Sequence, residues 1–167
     1  PIGVKLMLTA HGVPIDYKET RRKAFSPKEL RLLELIYQHR PHSLHAVNEL
    51  QKKMQHPDKE KGRKWAQIDR EHWDIFPELQ EACAAERFFI NTEAEYCLNV
   101  AGYEFFKGKW LEGYVYLALK SKPFNDLASG IMTSELVNDL DVACTLNAKL
   151  GVIECKSGRV DQNAVNK

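Results

Sequence analysis

Much that would point to a familiar chemistry is missing from this sequence. Its four cysteines, Cys83, Cys97, Cys144 and Cys155, show no C-x-x-C spacing, which removes the thiol-redox and zinc-ribbon frameworks. With no secretory leader in the sequence, a reducing, cytoplasmic setting is expected. The six histidines include His42 and His45, but no cysteine or carboxylate stands at finger spacing from them, so a zinc site is not expected. Neither G-x-x-x-x-G-K-[ST] nor G-x-G-x-x-G occurs, and nucleotide hydrolysis and dinucleotide chemistry therefore lack their motifs. Ser129-Gly130 and Ser134 show no nucleophile elbow. No apolar run approaches the roughly 18 to 20 residues of a membrane helix, and no membrane partner is expected. Charge of one sign is missing too. Lys plus Arg number 24 against 23 for Asp plus Glu, which excludes a histone-like polycation but leaves room for a local basic patch.

What is present is globular. The 167 residues, 44% hydrophobic and 28% charged, suit one ordinary domain or two small ones sharing a core. Residues 1–25 open with an apolar stretch, Ile2 to Leu8, and run into the charges from Lys18 to Lys23; this segment reads as a strand or a linker, the remnant of an upstream domain. At Ser26-Pro27-Lys28-Glu29 an N-cap serine, a first-turn proline and a glutamate form a capping box. A helix is expected to start there, with Leu30, Leu33, Ile36 and Tyr37 on its apolar face. A second follows the break at Pro41 through Leu44, Val47, Leu50 and Met54.

A third helix is expected over residues 77–87, then a strand at Phe88-Phe89-Ile90, a turn over 91–93, and a returning strand from Glu95 to Leu98. Helices followed by a hairpin form the pattern of a winged helix. A generic helical packing module fits equally well. Between the helices, Lys52, Lys53, Lys59, Lys61, Arg63 and Lys64 outnumber Asp58 and Glu60. Of these, Lys52, Lys53, Lys61, Arg63 and Lys64 are candidate phosphate contacts, although most such runs are simply solvated. Trp65, Trp73 and Trp110 read as packing residues.

The chemistry gathers in the last third. Phe106, Trp110, Leu111, Tyr114, Val115 and Ala118 recur at helical spacing, with Glu112 beside that apolar face. Two β-rich runs then flank Asn147-Ala148, and asparagine tolerates the positive φ of a tight hairpin. With those two residues as the loop, Asp141 stands opposite Glu154 and Asp139 opposite Lys156, all four on one face because side chains alternate along a strand. Opposed like charges are destabilising, so Asp141 and Glu154 need a shared proton or a cation between them. Hard oxygen ligands suit Mg²⁺ or Mn²⁺, and Lys156 would set a positive donor beside the ion, able to orient water or neutralise developing charge on a phosphate. Ala143, Thr145, Leu150 and Val152 share the acidic face and make it half buried, which argues against a mere surface salt bridge.

Asp141 followed by Glu154-Cys155-Lys156 resembles the D…(D/E)-x-K motif of the PD-(D/E)XK nucleases, and Glu112 matches their frequent helical glutamate. The wording around it, Phe106-Lys-Gly-Lys-Trp-Leu-Glu-Gly-Tyr-Val-Tyr116, Asn138-Asp-Leu-Asp-Val142 and Val152-Ile-Glu-Cys-Lys-Ser-Gly-Arg159, resembles the CRISPR-associated ancillary nucleases with a CARF domain. That resemblance implies an α+β chain: a helical, winged-helix-like domain over residues 26–100, then, over residues 101–167, the N-terminal part of a restriction-endonuclease-like α/β nuclease core. It implies Asp141 and Glu154 as metal ligands, Lys156 as the catalytic lysine, Glu112 as a further catalytic acid and Asp139 as an auxiliary one. It also implies metal-dependent cleavage of DNA, RNA or both in type III CRISPR immunity, by a homodimer activated by cyclic oligoadenylate. The CARF sensor would lie upstream of residue 1, so the chain is expected to be a piece of a longer protein. The alternative is a nucleic-acid-binding winged-helix regulator with a vestigial nuclease face.

Overall fold

The computed structural model describes residues 2–53, 66–68, 81, 83–84, 89–91, 96–134 and 139–157. Among the described residues, helices and two three-stranded antiparallel sheets give an α+β arrangement. It divides into two compact units, one of residues 27–110 and the other of residues 1–26 with 111–167. No helix among the described residues is long and apolar enough to cross a membrane.

In the unit of residues 27–110 the first helices are α3 (Pro27–Gln38) and α4 (His42–Lys53), numbered after α1 (Val4–Ala10) and α2 (Tyr17–Lys23) of the other unit. The start at Pro27 agrees with the capping signal. Leu32, Leu33 and Ile36 of α3 and Ala46, Val47 and Leu50 of α4 are buried, the apolar stripe of each helix turned inward. Ser43 donates to the Ile36 carbonyl at 2.5 Å, tying α4 to the end of α3. Strands β1 (Ala66–Ile68), β2 (Phe89–Asn91) and β3 (Tyr96–Leu98) form a sheet in the order β1-β3-β2. The expected hairpin is β2 and β3, with Phe89 opposite Leu98 and Asn91 opposite Tyr96. The third strand, β1, was not anticipated. Of the helix expected over residues 77–87, Glu81, Cys83 and Ala84 are described and helical; the rest of it, and Met54, lie outside the described residues.

Asn99 then caps α5 (Val100–Glu104), its side-chain oxygen accepting from the Gly102 N–H at 2.8 Å. The next five residues, Phe105–Lys109, widen into a π-helical stretch, a form that breaks the i→i−4 ladder. Gln51 of α4 donates to the Phe106 carbonyl at 2.8 Å, and Lys109 pairs with Glu29 at 2.8 Å. Phe105 and Phe106 are fully buried and meet edge to face, centroids 5.0 Å apart; burial of each contributes about 1.5–3 kcal/mol.

The other unit holds the candidate site. The segment of residues 1–25, expected as a strand or linker, holds two helices, α1 (Val4–Ala10) and α2 (Tyr17–Lys23). The physical reason is spacing: Val4, Met7 and Leu8 fall on one side of a helix and are buried, whereas alternation would have been needed for a strand. Gly12, at φ +76°, ends α1 in a Schellman motif, with Val13 N–H bonded to the Leu8 carbonyl and Gly12 N–H to that of Thr9. Asp16 caps α2, accepting from Lys18 and Glu19 N–H at 3.0 Å each. After α6 (Trp110–Lys120) come β4 (Asp126–Ile131), β5 (Leu140–Leu146) and β6 (Lys149–Ile153), a meander with β5 in the middle. Val4 and Leu8 of α1 pack with Ile131 and Ala143, and Val13, Ile15, Ala128, Leu140 and Leu150 close around them.

Candidate active site

The β5–β6 hairpin has the register expected of a two-residue Asn147-Ala148 loop: Leu146 opposes Lys149, Thr145 opposes Leu150 and Val142 opposes Ile153. Asn147 and Ala148 both take positive φ, +50° and +58°, as a primed hairpin turn demands. The ladder stops at Val142 and Ile153. One step further, where Asp141 faces Glu154, the Asp141 side chain takes over the pairing: its Oδ2 accepts the Cys155 N–H at 2.6 Å. That bond draws Asp141 into the fold, where it is 7% exposed.

Around Asp141 the structure gathers two more acids. One carboxylate oxygen each from Glu112, in the first turn of α6, from Asp139, just before β5, and from Asp141 lie within 4.8 Å of one another. At such separations each like-charge pair costs on the order of 3 kcal/mol at an effective dielectric constant of about 20. Glu154 lies outside this group of three. It is half exposed and paired with Lys156, which is likewise open to solvent. Sequence spacing set Lys156 opposite Asp139; once the ladder has ended at Ile153, the lysine bends back to Glu154 instead.

The electrostatics follow from burial. Desolvation raises the proton affinity of Asp141; the Cys155 N–H offsets part of that, and the nearby charges of Glu154 and Asp139 add to it. Burial, with Asp141, Glu112 and Glu154 close by, pushes the Cys155 thiol up to about 12. Lys156 is raised above its ordinary value by its hydrogen bond to Glu154, so it stays cationic at neutral pH. Clustered carboxylates, one of them buried, favour either a proton or a hard divalent cation. The donor set is all oxygen, which fits Mg²⁺ or Mn²⁺.

Of the residues expected to touch nucleic acid, Lys52 pairs with Glu49 at 2.5 Å on the exposed side of α4. The Lys53 side chain, Lys61, Arg63 and Lys64 lie outside the described residues. The Cys155 N–H, which fixes Asp141, had no signal in the sequence, because every residue but proline carries a backbone donor.

Comparison with known proteins now adds to this geometry. Residues 101–167 match the family model of the Card1-like endonuclease domain. No protein of curated function matches the chain in sequence. Among solved structures, protein VC1899 from Vibrio cholerae is similar with a TM-score of 0.61 at 19% identity, covering 96% of this chain and 45% of that one. Can2 from Sulfobacillus thermosulfidooxidans, solved in complex with cyclic tetra-adenylate, is similar with a TM-score of 0.53 at 20% identity, covering 99% of this chain and 45% of that one. The chain thus spans a little under half the length of both structures, and what they share with it at this identity is the fold. The match over residues 101–167 contains the described acidic cluster of Glu112, Asp139 and Asp141, so this segment of the chain is similar to a Card1-like endonuclease domain.

Proposed function

We propose that this chain carries the catalytic part of a divalent-metal-dependent nuclease that hydrolyses phosphodiester bonds of DNA, RNA or both. The observation that carries this reading is the buried Asp141 carboxylate gathered with Glu112 and Asp139, inside the segment similar to a Card1-like endonuclease domain. Asp141 and Glu154 are the residues that would hold Mg²⁺ or Mn²⁺, with Asp139 and Glu112 adding negative charge around it. Such an ion supplies the Lewis acidity that phosphodiester hydrolysis uses. Lys156, kept protonated by Glu154, acts as a cationic donor to phosphate oxygens and not as a base, which lowers the energy of charge building up there. Glu154 would thereby have two tasks, holding the lysine and supplying a ligand oxygen to the ion when it is bound.

In the whole protein we assign this module to an ancillary effector of type III CRISPR immunity, homodimeric and controlled by cyclic oligoadenylate. The Can2 structure, complexed with cyclic tetra-adenylate, supports that control. The test is cleavage of single-stranded DNA, RNA and supercoiled plasmid by the complete protein with Mn²⁺ or Mg²⁺, with and without cyclic tetra-adenylate. Glu154→Ala and Lys156→Ala should each lower the rate by at least about a hundredfold. Equal activity in Glu154→Ala sinks the site assignment. Salt-dependent binding of nucleic acid with no cleavage under either metal would instead favour a winged-helix regulator.

A further inference from the structure

Asp126 and Thr145 are directly opposed across β4 and β5, and both reach the same short stretch of backbone at the start of α1. The buried Thr145 hydroxyl donates to the Ile2 carbonyl at 2.9 Å. Asp126 Oδ2 accepts the Val4 N–H at 2.8 Å, and its Oδ1 accepts the Leu127 N–H at 2.9 Å. Between the two gripped residues stands Gly3, the N-cap of α1, which has no side chain to cap the helix itself. A Cβ there would lie 3.0 Å from Asp126 Oδ2, so with any larger residue the carboxylate would have to give way by a few tenths of an ångström. A helix that would ordinarily be capped by its own neighbour is capped by a residue from the sheet.

The grip falls on the strand that matters for the site. Thr145, Ala143 and Asp141 are alternate residues of β5 and share a face. Thr145 holds Ile2, and Ala143 packs with Val4 and Leu8 of α1. Along the edge shared with β6, the ladder ends before Asp141, and only the Cys155 N–H continues it. Support for that end of β5 therefore comes in part from its face, through α1.

We propose that the Asp126–Thr145 clamp on Ile2, Gly3 and Val4 is a positioning device for Asp141, setting the carboxylate where it can take a divalent ion. The inference rests on the metal-dependent nuclease reading and assigns that site a support from residues 2–8, outside the segment matched to the endonuclease family. Asp126 and Thr145 are positioning residues, not catalytic ones.

The experiment uses the full chain with Thr145→Val, which keeps the branched shape and removes the donor, and Thr145→Ser, which restores it. Mn²⁺ affinity is measured by titration calorimetry, and amide exchange is followed from Asp141 to Ala143. Thr145→Val should weaken Mn²⁺ binding about tenfold, the size usual for residues that orient a ligand, and speed exchange, with Thr145→Ser returning both toward wild type. Faster exchange at wild-type Mn²⁺ affinity overturns the proposal, because the clamp is then structural only; so does no change in either. If Thr145→Val does not fold, Asp126→Asn reads the other half of the clamp by the same two measurements. A wild-type protein that binds Mn²⁺ and cuts no nucleic acid overturns the nuclease reading, while the affinity ratio still decides the clamp.

Discussion

Burial is the first cause of the raised proton affinity of Asp141, and the charges of Glu154 and Asp139 reinforce it. A carboxyl that binds its proton more tightly when folded stabilises the protein fully below its unfolded value, 3.8 for this residue type, and loses that contribution as pH rises through the raised folded value. In the absence of metal, the stability of the wild type relative to Asp141→Asn should therefore fall as pH climbs from about 3.8 and level off above the folded value; thermal melts in EDTA across this range check it. Divalent metal should reverse the order at neutral pH, since only the carboxylate binds the ion. Cys155, raised to about 12, is the counterpart. At pH 8 its thiolate fraction is about one in ten thousand, so alkylation by iodoacetamide, followed by mass spectrometry, should be on the order of a thousandfold slower in the native protein than after unfolding.

At the scale of elements, two turns set the geometry that the site uses, and they differ in how well their residues suit them. Ala148 sits at φ +58°, where a Cβ costs roughly 1–2 kcal/mol. Replacing it by glycine removes that strain, but glycine's freer unfolded chain returns part of the gain. Ala148→Gly should stabilise the protein by about 0.5–1 kcal/mol in urea unfolding, with the β5–β6 register unchanged. Gly12 is the opposite case, already a glycine at φ +76° with open space around a would-be Cβ. Gly12→Ala should cost about 1 kcal/mol through backbone strain alone, which the same urea titration measures. A result near zero would mean that the end of α1 relaxes to another conformation.

At the scale of the whole chain, the candidate site belongs to a unit assembled from both ends of the sequence, residues 1–26 with 111–167. Ligand linkage gives a direct readout of the site. Mn²⁺ at a hundred times its dissociation constant should stabilise the protein by about 2.7 kcal/mol, and Asp141→Asn should abolish that gain in thermal melts. Leu8→Ala, which removes a side chain packed on Ile131 and Ala143, should cost about 2–5 kcal/mol and show as lost amide protection in β5. Residues 1–8 are not part of the family match, so this loss would demonstrate that the sheet depends on them.

Local signals in the sequence carried as far as local physics reaches. Ser26-Pro27 marked the start of α3, the apolar spacing marked α4, and Asn147 marked the hairpin whose register follows from loop length alone. Short-range chemistry decides these features, so they could be read without a fold. The helix at Val4–Ala10 and the strand at Ala66–Ile68 were harder, because each is short and its state depends on a partner distant in the chain. The candidate site divides the same way. Hairpin spacing by itself put Asp139, Asp141, Glu154 and Lys156 on one face, and only the resemblance to a nuclease motif added Glu112 to them. Only the tertiary structure decided that Glu112 meets Asp139 and Asp141, that Glu154 turns outward to Lys156, and that the Cys155 N–H holds Asp141 inside. Those outcomes rest on where a ladder stops and on how helices pack, and neither is a property of any local stretch of sequence.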